Sequence, residues 1–545
     1  VKLSRLLKSI NPIRVYVPGA RGAGTSAQNE KDRHLAHRAE QNAETSDAEI
    51  GSIHYRAQEV KPDGMFVAIP GSSADGHDFI DEALKRGAAA IVVEKEIYPQ
   101  ASQSDGQANT DTVMIQVSNT RQALANLSAA FYENPSERLV LIGITGTNGK
   151  TTTAYLIEGI LQQAGYAVGV IGTINYRYAG KTFDNPITTP ESLDLQRILA
   201  EMLSTGITHV VIEASSHAID LYRIQCCWLD IAVFTNLSQD HLDFHGDMQA
   251  YWASKKRLFT HYLDSGPKKD QAQAVINCDN PYGKELVRLL NIPLVTTGRE
   301  NGCAIKPAAA RCELSGITGT IATPDGTFDF ISPLVGEHNV ENILCATGVA
   351  AALHLLPDTM KSGLEALSHI PGRLERIDNN TGRFVYVDYA HTPDALQNVI
   401  HALRNITTQR IICVFGCGGD RDKAKRSMMG EIAAKHCDLS IVTSDNPRTE
   451  DPQMIIDHIL EGIKRVGGRA YSRSDVKNGF SGNGFVREPD RRRAIKLGIQ
   501  ISKPGDTVLI AGKGHETYQI LGKKTVAFDD REEARKALVR LEAGG

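Results

Sequence analysis

The segment Gly146-Thr147-Asn148-Gly149-Lys150-Thr151-Thr152 is built for holding phosphate. It stands between a short apolar run, Leu139-Val140-Leu141-Ile142, and a segment with Ala154, Ile157, Leu161 and Ala164 at helical spacing, which Gly165 can cap. In that setting glycines let backbone N–H groups close around phosphate oxygens, and the helix N-terminus adds positive potential. Lys150 would reach the β- and γ-phosphates, and the Thr151 hydroxyl would ligate Mg²⁺. The strict phosphate-loop spacing asks for glycine at 144, where this chain has Ile144. A plain glycine turn capping a helix would need neither Lys150 nor the threonines. A nucleotide site also needs a carboxylate near the metal. The run His209-Val210-Val211-Ile212 ends in Glu213, followed by Ala214-Ser215-Ser216-His217. The C-terminal end of a neighbouring strand is where α/β sheets bind ligands. Alone, Glu213 could equally be a surface loop residue.

Positioning these groups takes strands and helices in alternation. Val210-Val211-Ile212 and Ala232-Val233-Phe234 read as buried strands, and from about residue 138 the strand–helix pattern predicts a parallel sheet with helices on both faces. Pro371-Gly372 punctuates the chain. Beyond it, strands are expected at Phe384 to Val387, Ile411 to Phe415, Leu439 to Val442 and Val508 to Ile510, giving a second α/β unit. Ahead of 138, Met65 to Ile69 and Ala88 to Val93 mark a smaller α/β unit. The polar residues 20–50 and 100–111 read as loops, and 474–489, with Ser-Gly-Asn-Gly, as a surface insert.

Composition bounds the alternatives. At 545 residues the chain has room for three to four domains of roughly 150 residues. With 41% hydrophobic residues and a formal charge of −4 it is globular and lacks a general basic field, so nucleic acid is excluded as a partner and anions need local sites. Nine cysteines without a C-x-x-C pair argue against a disulfide framework or zinc ribbon and for buried thiols in a reducing cytoplasm. No run of about 18 apolar residues is present to span a membrane, and Val1-Lys2-Leu3-Ser4-Arg5 lacks a signal-peptide core.

Further segments recur in a fixed order: Asn236-Leu237-Ser238-Gln239-Asp240-His241-Leu242-Asp243, Gly336 to Asn342, Pro371 to Glu375, Val387 to Asp394, Gly416 to Asp422, Asp445-Asn446-Pro447-Arg448 and Ala511 to Glu516. With the phosphate loop and Glu213 they make the chain resemble the Mur ligases, over nearly its whole length. The resemblance implies an α/β protein of three domains: 1–137 for the UDP end of the substrate, 138–370 as a P-loop domain binding ATP, and 371–545 as a Rossmann-like domain binding the incoming amino acid. It implies ATP-dependent amide formation in peptidoglycan synthesis by a cytoplasmic monomer. ATP phosphorylates the D-glutamyl side-chain carboxylate of UDP-N-acetylmuramoyl-L-alanyl-D-glutamate, and an amine attacks the acyl phosphate.

The resemblance also distributes roles. Gly146, Thr147, Asn148, Gly149, Lys150, Thr151 and Thr152 fall on the ATP phosphates, and Asn339, Arg373, Asp388 and His391 around the rest of the nucleotide. An arginine and a carboxylate at a domain junction could equally be a salt bridge. Thr151, Glu213, His241 and a carbamylated Lys255 fall on Mg²⁺; Lys150, Glu213, His241 and Lys255 carry the chemistry. His241 could also be an ordinary polar histidine before a helix. Lys256 is adjacent to Lys255, which leaves the register between them open, and either could lie on a helix surface. Thr188, Thr189, Ser215, Arg223 and Lys255 match contacts to the muramyl dipeptide. Leu221 stands where relatives carry glutamine, and His54-Tyr55-Arg56 where they carry Asp-Ser-Arg. Arg421, Asp445, Asn446, Pro447, Arg448, Gly512 and Glu516 match an amino-acid pocket of the kind that takes meso-diaminopimelate. A guanidinium such as Arg448 can hold the second carboxylate that lysine lacks, and Glu516 could pair with the distal ammonium. The Asp-Asn-Pro-Arg segment also suits a β-turn. The competing assignments are a lysine-adding relative, a folylpolyglutamate synthetase, a P-loop switch that only hydrolyses nucleotide, and an NAD enzyme. The last lacks the G-x-G-x-x-G spacing.

Overall fold

The computed structural model describes residues 1–17, 47–71, 74–95, 112–480 and 482–543. Most of the polar stretch at 20–50 and all of 100–111 lie outside the described residues. The end of the first stretch carries no helix or strand but packs onto the N-terminus: Ile50 is fully buried, and the Leu3 amide donates to the Ala48 carbonyl at 2.9 Å.

The first 132 residues form a five-stranded sheet in the order Arg14–Tyr16, Val113–Gln116, Ala90–Val93, Gly64–Val67, Ser52–His54. Only the first pair is antiparallel. An eight-stranded sheet follows, in the order Leu294–Thr297, Gln273–Asn277, Ile231–Phe234, Val140–Thr145, His209–Glu213, Val168–Ile171, Tyr176–Tyr178, Lys181–Phe183. Six strands are parallel, and an antiparallel hairpin closes one edge. Alternation decides the faces: Val210 and Ile212 enter one apolar core and Val211 the core on the opposite side. Glu213 pairs in register with Ile144, so the carboxylate emerges beside the phosphate loop.

The region 306–332 folds as a three-stranded antiparallel meander, Lys306–Glu313, Gly316–Thr323 and Gly326–Ser332, which the sequence did not announce. Beyond 371 a seven-stranded sheet runs Glu375–Arg376, Phe384–Asp388, Thr507–Ala511, Ile411–Phe415, Leu439–Val442, Gly484–Arg487, Arg469–Ala470. The expectation of a surface insert at 474–489 is corrected here. That segment carries the helix Arg473–Asn478 and a strand inside the sheet, with Phe485 and Val486 buried. A four-residue strand that opens on a glycine behind Gly482-Asn483 has too little period to be read against its polar flank. No helix among the described residues is long and apolar enough to cross a membrane, and all nine cysteines are free thiols.

The helix Lys150–Gln163 starts at the phosphate loop and is held by close contact with the helix Pro357–Ala366. Glycine permits the approach. A Cβ on Gly363 would stand 2.3 Å from the Ile160 Cα, and one on Gly159 2.9 Å from the Gly363 carbonyl oxygen. Gly363→Ala should therefore lower unfolding free energy by about 1–3 kcal/mol in urea titration; unchanged stability would show that the helices do not meet here.

Candidate functional site

The phosphate loop is forced into shape by its glycines and by one neighbouring segment. Gly146 and Gly149 have φ of +152° and +86°, and Cβ atoms there would lie 1.9 Å from Thr235 Oγ1 and 2.2 Å from Asn342 Oδ1. The segment after the strand Ile231–Phe234 clamps the loop. The Thr147 amide donates to the Asn236 carbonyl at 2.9 Å and the Asn148 amide to Asn236 Oδ1 at 3.0 Å. Thr235 Oγ1 donates to the Asn148 carbonyl at 2.7 Å, and the Ser238 amide to Thr147 Oγ1 at 3.0 Å.

Two amines converge on this loop. Lys150 Nζ donates to the carbonyls of Gly146 and Thr147, each at 2.8 Å. Lys255 Nζ, on a residue 1% exposed, donates to the same Gly146 carbonyl at 2.8 Å. Neither has a carboxylate within ion-pair distance among the described residues. Desolvation lowers the pKa of Lys150, and desolvation followed by the charge of Lys150 drives Lys255 well below the usual lysine value. The adjacent Lys256, by contrast, is partly exposed and pairs with Glu285 at 3.5 Å.

Glu213, 1% exposed, accepts from Thr151 Oγ1 at 3.0 Å, from Thr173 Oγ1 at 2.8 Å and from the Thr173 amide at 3.1 Å. This is a hydroxyl and carboxylate donor set, suited to a hard cation such as Mg²⁺ that takes few protein ligands and keeps phosphate and water oxygens. Among the described residues no three His, Cys, Asp or Glu side chains converge into a metal cage. His241 precedes the helix Leu242–His245 with a φ of +53° and meets the His217 ring edge-on at 4.9 Å. Burial, and then the charges of Lys150 and Lys255, lower its pKa against the pull of Asp240.

The residues matched to the muramyl dipeptide lie along the same edge. Thr188 Oγ1 is 3.1 Å from Thr173 Oγ1, Thr189 Oγ1 donates to the Glu213 carbonyl at 2.7 Å, and Ser215 Oγ is 3.2 Å from Thr189 Oγ1. Arg223 Nη1 donates to the Thr189 carbonyl at 3.3 Å, and Glu191 holds both Arg223, at 3.4 Å, and Arg121 of the first domain, at 3.1 Å. Lys255 is turned into the phosphate loop rather than joined to these side chains. Leu221 caps the helix Ser216–Asp220 and brings no polar group. Tyr55 donates to Asp194 Oδ2 at 2.8 Å, while Arg56 pairs with Glu59.

From the C-terminal sheet, Arg373 Nη2 reaches Thr151 Oγ1 at 3.4 Å, and its buried Nε has no hydrogen-bond partner. Its guanidinium lies over the Tyr389 ring at 5.0 Å. The salt-bridge alternative fails. Asp388 accepts from the backbone amides of Leu374, 2.7 Å, and Ala390, 2.8 Å, and makes no ion pair with Arg373 within 4.0 Å. Burial raises the pKa of Asp388. Asn339 donates to the Val335 carbonyl and accepts from Asn342, at 2.8 and 2.9 Å. The His391 ring is fixed by Nδ1 at 2.8 Å from the Tyr389 carbonyl oxygen.

A second polar pocket gathers the residues matched to the incoming amino acid. Asn446 Nδ2 donates to Glu516 Oε2 at 2.9 Å, Arg448 Nη1 donates to the Gly419 carbonyl at 2.8 Å, and a Cβ on Gly512 would stand 3.3 Å from Asp445 Oδ2. Arg421 is exposed at its rim, with Nη1 donating to the Asp420 carbonyl. The turn reading holds in shifted form: the Glu450 amide bonds the Pro447 carbonyl at 3.1 Å, with Arg448 at a φ of +51°. Sequence reasoning missed Thr173, Thr235, Asn236, Asn342 and Lys513 as partners. All but Thr173 and Thr235 fall inside the recurring segments, so a signal was there; their burial was not.

Three family descriptions match this chain: "Mur ligase family, catalytic domain" over residues 49–132, "Mur ligase middle domain" over 144–350 and "Mur ligase, glutamate ligase domain" over 372–514. The UDP-N-acetylmuramoyl-L-alanyl-D-glutamate–2,6-diaminopimelate ligase of Geobacter metallireducens is 46% identical over 497 residues, covering 91% of this chain and 96% of the relative. The enzyme of the same name from Geobacter sulfurreducens is 44% identical over 496 residues, with the same coverage. A solved structure of a ligase of that name superposes with a TM-score of 0.62 at 31% identity, covering 92% of this chain and 99% of the other. The chain therefore belongs to the Mur ligase family of ATP-dependent amide-forming ligases.

Proposed function

We propose that this protein joins meso-2,6-diaminopimelate to the D-glutamyl side-chain carboxylate of UDP-N-acetylmuramoyl-L-alanyl-D-glutamate in the cytoplasm, in three domains divided near 137/138 and 370/371. The observation that carries the reading is the meeting of two sites across one domain junction. An anion site with two cations free of carboxylate partners, Lys150 and Arg373, and the buried amine of Lys255 beside them, faces a pocket in which Arg448 stands with Asp445, Asn446 and Glu516.

In the proposed reaction Lys150, the loop amides and Arg373 hold the ATP phosphates and spread the charge that develops on the transferred group. Thr151 and Glu213, with His241 and a carbamate on Lys255, would hold Mg²⁺, which neutralises phosphate charge when bound. Thr188, Thr189, Ser215 and Arg223 orient the muramyl dipeptide so that a carboxylate oxygen attacks the γ-phosphorus and ADP leaves. The amine of diaminopimelate, held by Asp445, Asn446, Arg448 and Glu516, then attacks the acyl carbon. The tetrahedral intermediate expels phosphate as the nitrogen gives up its proton. Burial of Lys255 lowers its pKa and so favours the neutral amine form that CO₂ addition requires.

Phosphate release with the UDP-muramyl dipeptide against an amino-acid panel should respond to meso-diaminopimelate; response to lysine alone would overturn the assignment. Lys150→Ala should cut turnover by about a hundredfold or more, and full activity would remove the loop from the chemistry. Arg448→Ala should raise the KM for diaminopimelate by about thirtyfold and leave that for ATP in place; equal rises would make its role structural. Intact mass in bicarbonate buffer should show one added CO₂ in the native chain and none in Lys255→Met.

A further inference from the structure

The amino-acid pocket contains a cation that none of the roles above uses. Lys513 is fully buried. Its Nζ donates to Glu516 Oε2 at 2.8 Å and to Asn446 Oδ1 at 3.2 Å, and stands 3.6 Å from Asp445 Oδ1. Three side chains proposed to hold the incoming amino acid therefore meet on one ammonium.

We propose that Lys513 is the positioning residue of this pocket, an assignment that rests on the proposed amino-acid site. The argument has two parts. The first is orientation. An ammonium only donates, so Lys513, with the Ile520 amide at 3.0 Å, fixes the Asn446 carbonyl oxygen toward itself. The Asn446 NH₂ must then face Glu516, where it donates at 2.9 Å. Both donors fall on Oε2 of Glu516 and leave Oε1 for a ligand. The second is charge. Asp445 and Glu516 place two negative charges about the single ammonium of Lys513, and the pocket's other cation, Arg448, is turned to the Gly419 carbonyl. The neighbouring Arg491 does not change this sum, because Asp530 already neutralises it through contacts of 2.7 and 2.6 Å. Asp445 Oδ1 is buried without a hydrogen-bond partner. Asp445 Oδ1 thus lacks a donor, which the ammonium of an α-amino acid can supply. Without Lys513 the buried Asp445 and the half-buried Glu516 would face each other with no fixed cation between them, and the amide of Asn446 would be free to turn.

The test is steady-state phosphate release, varying one substrate at a time, with whichever amino acid the native enzyme turns over. Lys513→Met should raise the KM for that amino acid by about thirtyfold, with the KM values for ATP and the UDP-muramyl dipeptide within about twofold. In a Glu516→Gln background, which removes the carboxylate that Lys513 orients, the same change should add about threefold or less. Equal rises for all three substrates, or the same factor in both backgrounds, would overturn the proposal. If Lys513→Met alone does not fold, the comparison of Glu516→Gln with the double variant decides it: a further rise of about thirtyfold refutes the coupling, and near-identity supports it. A native enzyme that ignores diaminopimelate would refute the substrate assignment and leave the Lys513 test intact.

Discussion

The carbonyl oxygen of Gly146 receives two lysine amines, and the rest of the central site is arranged around that crowding. Charges of one sign repel, and burial strips them of water, so the pair is unfavourable by itself. Desolvation depresses both amines, and the charge of Lys150 depresses Lys255 further. An arriving polyanion turns the same geometry into a favourable one, because binding restores the counter-charge that the fold leaves out. The clamp by Thr235, Asn236 and Ser238 is then necessary: a loop carrying this repulsion would otherwise open.

The second pocket mixes both signs. Asp445 and Glu516 outnumber Lys513, so a cation is wanted there, while Arg448 stands at the side to receive a carboxylate. A zwitterion with separated charges matches this pattern better than a simple anion. The two pockets divide the labour by charge: one gathers cations for phosphate, the other leaves a carboxylate uncovered for an amine.

The sequence revealed the strands whose apolar runs are bounded by turns. Ile411–Phe415 and Leu439–Val442 stand where expected. It concealed Gly484–Arg487, whose neighbours Asn483 and Gly482 look like a loop, and the meander at 306–332, whose Ala, Thr and Gly content gives weak alternation. Site residues were legible where chemistry needs a rare type at a fixed offset, as with Lys150 and Glu213. Lys513 was not, because a lysine between glycines has the appearance of a surface residue until burial is known. The contrast in burial between Lys255 and Lys256 likewise needed the helix phase, which only packing supplied.

Thr151 Oγ1 stands between Glu213 of its own sheet and Arg373 of the next one. One hydroxyl thus belongs to two domains at once. Any swing of the C-terminal domain takes Arg373 with it and leaves the proposed phosphate site one cation short. The same swing carries the proposed amino-acid pocket away. Fuel use and the presence of the nucleophile are therefore tied to a single rigid-body coordinate. An enzyme so built protects its high-energy intermediate by timing, since the state able to make it is also the state that holds its acceptor.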